Sequence, residues 1–442
     1  MADLGQLRVQ CFDGRTYLPV DNCQVSIEPT ESNGIVKTNT NTISSIITDA
    51  SGVTPNVDLD APPIAYSENP SNNLPYSLYD LTITRAGFQQ VKIQGVQVFP
   101  EEVALQQVNL EQTNNSRASR DEVINILPNT LNGDFPAKIP ENPNKPLPAP
   151  SSGVVLAQPV VPEYITVHQG SPSDSAAPNY RVLYKDYIKN VASCEIYSTW
   201  PEVTIRANVY CIISFTLNRI YTEWYRGKGK NFDITSSTAY DHAFNYGRNI
   251  YDSISAVVDE IFSTYVRRFG KKQPLLTQYC DGKSITCPEW LSQWGSKYLG
   301  DQGKVPYEIL TYYYGNDIEL VTAKKISGTA ESYPGYDITV GSSGDAVSNL
   351  QELLNRIADN YPLIGKNAID GVYGDSTAKS VKTFQQVFNL PQTGIVDYAT
   401  WYKISDVYVG VTRIAELRQD NIFYPPMTRG INIEPHISYP RQ

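Results

Sequence analysis

Along residues 5–112 apolar side chains alternate with polar ones: Leu7, Val9 and Cys11 first, then Val25 and Ile27, Leu81 and Ile83, and Val91 and Ile93. A period of two predicts half-buried strands. Turn-forming stretches part them at Asp13-Gly14, Ser32-Asn33-Gly34, Ala50-Ser51-Gly52 and Ala86-Gly87. Short strands at this spacing predict an N-terminal all-β sandwich over residues 1–112. Over residues 113–163 the alternation stops. Pro128, Pro136, Pro140, Pro143, Pro146, Pro148, Pro150, Pro159 and Pro162 do not fit helix or central strand. They predict a semi-rigid linker that holds the sandwich away from the rest of the chain.

Residues 164–325 mix periods and predict a central α+β domain. Asp186 is expected to cap a helix running to about residue 197, and Pro201 sits in the first turn of a second running to about residue 224. Further helical segments are expected over about 249–265, 288–299 and 306–314. Residues 333–410 predict a C-terminal three-helix domain. Behind Asp345, Val347, Leu350, Leu354 and Ile357 follow the helical period; Val381, Phe384 and Phe388 ride on a helix starting near Asp375; Ala399, Trp401 and Ile404 mark a short third. Residues 411–442 read as a proline-bearing tail. The most apolar run, residues 209–217, is broken by Ser214 and Thr216, and no stretch reaches the roughly 18 apolar residues of a membrane span.

Composition narrows the partners. The 442 residues are 41% hydrophobic and only 19% charged, with a net charge of −10. A phosphate backbone calls for a basic surface, so nucleic acid is not the expected partner, and an acidic chain gains nothing from an anionic membrane face. The 31 tyrosines against 2 methionines suit sugar stacking and suit ordinary packing equally. The first six residues have neither a basic start nor an apolar run, so no secretory signal is visible. Six cysteines form three close pairs, Cys11 with Cys23, Cys194 with Cys211 and Cys280 with Cys287. Pairing allows disulfides, while a long chain without a visible signal favours free, buried thiols. Only three histidines are present, and His168 and His436 are expected to face solvent.

The firmest motif lies near the C-terminus. Gly341-Ser342-Ser343-Gly344-Asp345-Ala346-Val347 leads to Leu350-Gln351; Asp370-Gly371-Val372-Tyr373-Gly374-Asp375-Ser376-Thr377 leads to Val381 and Phe384-Gln385; Thr393-Gly394-Ile395-Val396 and Thr400-Trp401 complete it. Gly371 and Gly374 permit a tight turn and close helix approach, and Phe384 fills the core. This series resembles the three-helix peptidoglycan-binding domain from end to end, which implies peptidoglycan glycan strands as partner. The N-terminal order resembles a transthyretin-like or carboxypeptidase regulatory-like domain. It runs from Leu18-Pro19-Val20 before the Val25 strand, through the turn at Thr48-Asp49-Ala50-Ser51-Gly52, to the Tyr79 strand ending in Gly87-Phe88. Such domains serve as spacers or adhesive modules, here toward partners in a spore or particle.

In the middle domain Ile188, Val191, Ala192, Glu195 and Ile196 share one helix face. A carboxyl among apolar side chains is held protonated near neutral pH, which suits a general acid. On spacing alone, a helix-end glutamate that is amphipathic or paired is the favoured reading. Residues 187–195, with Trp200-Pro201 and Arg206-Ala207-Asn208, are similar to the opening block of the stage II sporulation protein D family of lytic transglycosylases. Its second block is echoed by residues 232–238 with His242-Ala243-Phe244. Its closing block is matched by residues 291–296, Gln302-Gly303 and residues 307–315. The resemblance implies Glu195 as the catalytic acid/base. It departs at Ile212-Ile213-Ser214-Phe215, where the family carries an arginine. It departs again at Ala239 and Tyr240, where some members bind zinc, and at residues 278–283. Cys280, Cys287 and His242 form a weak alternative metal set; no cofactor is expected. Tyr240, Gln278, Asp281, Ser292, Gln293 and Trp294 are candidates to line a glycan groove, and turn or cap chemistry accounts for such polar residues as well.

The resulting expectation is a lytic transglycosylase tethered to peptidoglycan, located in cell wall, spore or an extracellular particle. The alternative is a catalytically inactive wall-bound structural or adhesive protein of a spore or phage-like particle. A peptidase or amidase is disfavoured, since three scattered histidines supply no triad or His-rich zinc set.

Overall fold

Leu7, Val9 and Cys11 are fully buried on the first strand, β1 (Asp3–Asp13), as their alternation requires. The computed structural model describes residues 3–14, 16–30, 43–113, 121–141, 158–284, 287–327 and 333–412. The next strands are β2 (Gln24–Pro29), β3 (Ile43–Ile47), β4 (Val57–Ala61), β5 (Ser77–Thr84), β6 (Val91–Val98) and β7 (Val103–Leu110). β1 pairs antiparallel with β4 and parallel with β7, and β3, β2, β5 and β6 make a second, antiparallel run. At the expected 48–52 turn, Asp49 Oδ1 accepts the N–H groups of Ser51 at 2.8 Å and Val53 at 3.0 Å. The expected turn at Ser32-Asn33-Gly34 lies outside the described residues.

The segment read as a spacer does not stand away from its neighbours. β8 (Glu122–Asn125) pairs parallel with β6. No proline occurs between residues 121 and 127, so each residue there keeps its N–H, and those of Glu122 and Ile126 reach the carbonyls of Gln90 and Gln94 at 3.0 and 2.9 Å. Beyond β8, Asn129 and Thr130 bind carbonyls at the end of a helix in the middle of the chain.

That middle part opens with β9 (Val160–Val161) and the antiparallel pair β10 (Tyr164–His168) and β11 (Asn179–Leu183). α1 (Tyr184–Glu195) begins two residues before Asp186, which lies in its first turn rather than capping it. α2 (Glu202–Tyr221) is buried nearly all round and forms the centre. After β12 (Ile234–Thr235), the helix expected over 249–265 is instead β13 (Ile250–Tyr251), α3 (Asp252–Ile261) and β14 (Thr264–Arg268). Pairing decides this: Ile250 and Tyr251 extend the first sheet against Leu105 and Ala104, and β14 pairs with β17 (Ile318–Thr322). Between these strands lie β15 (Tyr279–Cys280), β16 (Leu291–Ser292), α4 (Gln293–Asp301) and α5 (Pro306–Tyr314). α4 starts later than its sequence pattern because Ser292 Oγ caps it, accepting Gly295 N–H at 2.9 Å. β18 (Lys325–Ile326) pairs with β9. Asn249 further ties the middle to the first sheets, donating to Gln97 O at 3.0 Å and accepting Gln97 N–H at 3.2 Å.

The last helices are α6 (Asp345–Ala358), α7 (Asp375–Val387) and α8 (Tyr398–Thr412). α8 is far from short, at 15 residues, and packs on α3; the tail beyond Thr412 lies outside the described residues. Two buried glutamines organise the domain's turns. Gln351 Oε1 accepts the N–H groups of Asp370 and Gly371 at 3.1 and 3.0 Å, and its amide donates to Asp370 Oδ1 and Val372 O. Gln385 repeats the device one turn later, accepting Gly394 N–H at 2.8 Å and donating to Ile395 O at 2.9 Å. Gly371 has φ +67° and a Cβ there would meet Ser348 Oγ at 2.8 Å, so glycine is required. A Cβ at Gly374 would meet nothing within 4 Å, which removes the packing reason expected for it. Replacing Gln351 by alanine leaves the buried Gly371 N–H without an acceptor and removes that of the half-buried Asp370 N–H; we expect a loss of about 1–3 kcal/mol, read as a lowered thermal midpoint.

The described residues therefore form a multidomain chain of β-sheets and eight helices, with helices at the C-terminal end.

Candidate functional site

Glu195 is the last residue of α1 and is 3% exposed. Its helix ends in carbonyls that need partners. Asn129 Nδ2 donates to the carbonyls of Ser193 and Ile196 at 3.3 and 3.1 Å, Thr130 N–H to that of Cys194 at 2.9 Å, and Gln293 Nε2 to that of Glu195 at 3.0 Å. The end of α1 is thus pinned from two sides. The carboxyl itself accepts Ala243 N–H on Oε1 at 2.6 Å and the Tyr279 hydroxyl on Oε2. Burial pushes its pKa up to about 7, against the pull of the Lys138 ammonium and of these two hydrogen bonds. The carbonyl end of the helix disfavours the anion further. A carboxyl that loses its proton near neutrality can both give and take one.

Around it lies a polar floor that spacing did not reveal. Arg219 is 1% exposed and its Nε donates to Asp241 Oδ1 at 2.7 Å. Asp241 Oδ2 accepts Tyr225 OH at 2.7 Å, Thr235 N–H at 2.9 Å and Thr235 Oγ1 at 2.6 Å. His242 is buried, and burial first, then Lys138 and Arg219, holds its pKa well below the usual imidazole value, so the ring is neutral. Its Nδ1 lies 3.0 Å from Tyr187 OH, and its ring is stacked on Tyr279 with centroids 5.8 Å apart. Lys138 brings its ammonium over the rings of Phe215 and Tyr279 at 4.8 and 4.9 Å and donates to Asp241 O. Burial lowers its pKa to about 8 although Glu195 and Asp241 attract the cation.

Of the candidates from sequence, Gln293 touches Glu195 through its backbone carbonyl, and Gln278 holds the 139–141 backbone beside it. Tyr240 contributes its backbone carbonyl to Arg219 at 3.0 Å. Asp281 shapes a turn by accepting Ser284 N–H at 2.9 Å, and Ser292 caps α4. Trp294 packs edge-on against Tyr197 and tilted against Trp200. The metal set does not form: Cys280 and Cys287 are joined in a disulfide, which also corrects the expectation of free thiols there, while Cys11, Cys23, Cys194 and Cys211 are free and buried. The turn at Gly282, with φ +75°, brings the pair to a Cα separation of 5.8 Å. Among the described residues no group of three His, Cys, Asp or Glu side chains can hold a metal ion. His168 is buried, not solvent-facing, stacked on Phe232 at 4.4 Å, and His436 lies outside the described residues. A sequence signal existed for Arg219, since a charged residue in a helix buried nearly all round needs a partner. None existed for Lys138, set in a proline-rich stretch.

At the other end of the chain, one glutamine-held turn lies between α6 and α7 and the other between α7 and α8, and Ile369, Val372 and Ile395 stay exposed around them. Residues 343–404 match the family model of a peptidoglycan binding domain. The peptidoglycan-binding domain associates the chain with cell wall. None of the curated proteins matches this chain. Among solved structures, 3-chlorocatechol 1,2-dioxygenase from Rhodococcus opacus is similar at 11% identity over 26% of this chain and 61% of that one, with a TM-score of 0.18. Catechol 1,2-dioxygenase from Acinetobacter radioresistens is similar at 12% identity over 28% of this chain and 58% of that one, with a TM-score of 0.18. The chain thus covers less than two thirds of either structure. Among the described residues, no helix is long and apolar enough to cross a membrane.

Proposed function

We propose that the chain is a peptidoglycan lytic transglycosylase with Glu195 as its acid/base, tethered to its polymer by the peptidoglycan-binding domain. One observation carries the reading: a buried carboxyl, with its proton affinity raised to near neutrality, is held by an N–H group and a phenol in the segment that resembles the stage II sporulation protein D family. Protonated Glu195 gives its proton to the oxygen joining N-acetylmuramic acid to N-acetylglucosamine, and that C–O bond breaks. The carboxylate then takes the proton from the muramic acid 6-hydroxyl as its oxygen bonds to C1, closing a 1,6-anhydro ring. Neither water nor a second carboxylate is consumed, in contrast to the two-carboxylate scheme. Gln278, Gln293, Ser292, Asp281, Tyr240 and Trp294 belong to the walls of this region in the same reading. The two N-terminal sheets are read as a transthyretin-like β-sandwich, and the last three helices as a three-helix domain. Tethering raises the local concentration of the catalytic segment at an insoluble substrate.

A binding and structural role is the second reading, favoured by the cover over Glu195, which leaves it 3% exposed. A digest of purified peptidoglycan, read by mass spectrometry, separates the two. Anhydro-muramic products are expected; wall that is bound and never cleaved would leave only the structural role.

The acid must be protonated, so kcat/KM is expected to fall as pH rises through about 7. Lys138 favours the anion, so Lys138→Met should move that limb to higher pH. A limb that stays in place would detach Lys138 from the acid.

A further inference from the structure

We infer that residues 136–141 are a built-in occupant of the cleft over Glu195, and that this cleft takes a carboxylate-bearing glycan whose carboxylate replaces that of Glu141 on Arg219. The inference rests on the wall-glycan reading above for the class of ligand; the occupancy is argued from the contacts. The segment lies on the site much as an extended peptide lies on its receptor. Thr238 Oγ1 donates to Pro136 O at 2.8 Å, Ile139 N–H to Ala239 O at 2.8 Å, Gln278 Nε2 to Ile139 O at 3.2 Å, and Glu141 N–H to Gln278 Oε1 at 3.2 Å. Pro136, Ala137, Ile139 and Pro140 are exposed, so the side-chain anchors are two: Lys138, over the rings of Phe215 and Tyr279, and Glu141, on Arg219. Backbone bonds are exchanged for bonds to water at small net cost, so release of the segment turns on its two anchors, and a ligand carboxylate that takes the place of Glu141 keeps the buried guanidinium paired.

The floor beneath needs no strap to keep its shape. Asp241 is held by Arg219, Tyr225 and Thr235, and none of those bonds involves residues 136–141. Arg219 spends its Nε on Asp241 and turns its two terminal nitrogens to the strap, where they hold the two Glu141 oxygens at 3.0 and 2.5 Å. This fork-to-fork geometry is specific for a carboxylate. The Glu141 side chain is 19% exposed, so solvent touches the pair from the strap's side while Arg219 itself is 1% exposed. In the same floor, His242 Nε2 is buried with no partner among the described residues. In wall glycan the carboxylate has two sources, the lactyl group of muramic acid in denuded strands and the stem peptide in substituted ones.

The test uses the full chain and hydrogen exchange of the Ile139 and Glu141 amides, with soluble glycan fragments added. One set is denuded, one bears stem peptides, and one is denuded with the lactyl carboxylate converted to amide. Saturating denuded or peptide-bearing fragments should speed exchange of the strap amides about tenfold, whichever works naming the carboxylate, and the amidated set should not. Glu141→Gln should lower the fragment concentration required about tenfold by weakening the competitor. Arg219→Lys keeps the charge but loses the fork for strap and ligand alike, so the strap amides should already exchange fast without fragments and respond little to them. Strap amides that stay protected while fragments saturate the protein overturn the inference, as does equal response to the amidated set. Strap release without anhydro products upholds it and removes the cleavage reading; cleavage beneath a protected strap does the reverse.

Discussion

Glu195→Gln is expected to lower release of anhydro-muramic products by about 10²–10⁴-fold while the protein stays folded and wall-bound. The amide keeps an oxygen to accept Ala243 N–H, and the Tyr279 hydroxyl can accept where it now donates. The substitution also removes the need to bury a charge, so no loss of thermal midpoint is expected from desolvation. What it takes away is the one proton that the reaction moves. The peptidoglycan-binding domain, residues 343–404, lies outside this site, so sedimentation with wall serves as the control. Equal product from both proteins would dismiss Glu195 as the acid and leave the cleavage itself standing.

The largest effect on stability is expected from Asp259→Ala, at about 3–5 kcal/mol. Asp259 is 2% exposed on α3, bonded to Lys189 Nζ at 2.7 Å, with Lys185 Nζ at 3.7 Å. Lys185 in turn reaches Asp406 on α8 at 2.5 Å, and Lys403 and Asp186 complete the cluster. Burial alone would raise the Asp259 pKa, but Lys189, Lys185 and Lys403 together hold it below the usual carboxylate value. The alanine variant would leave these cations facing one another in a desolvated seam, where α8 meets α1 and α3. The pH dependence has a definite sign. A depressed carboxyl contributes its stability above the unfolded value of about 4, and that contribution is lost as pH falls through the lower folded value. Urea midpoints at neutral pH and across the acid range measure both. A loss under about 1 kcal/mol would mean the cluster is hydrated and weakly coupled.

Periodicity was informative wherever a side chain's burial depends on its immediate neighbours. Leu7, Val9 and Cys11 on β1, and Val347, Leu350, Leu354 and Ile357 on α6, are buried as their spacing requires. It misled wherever a distant partner decided. Ile250 and Tyr251 read as helical until a free strand edge at Leu105 and Ala104 is supplied, and proline content hid the fact that residues 121–127 keep all their donors.

The candidate site divides along the same line. Sequence by itself determined that Glu195 sits on an apolar helix face and that residues 333–410 carry the peptidoglycan-binding signature, which the family model matches over 343–404, because both are local patterns. Only tertiary structure decided that this carboxyl meets Ala243, Tyr279 and Lys138, that Arg219 pairs with Asp241 and Glu141, and that Cys280 bonds Cys287 rather than a metal. The physical reason is range. A helix face is set by residues three and four apart, whereas a pKa is set by whatever charges and dipoles the fold brings within a few ångströms, at any separation along the chain.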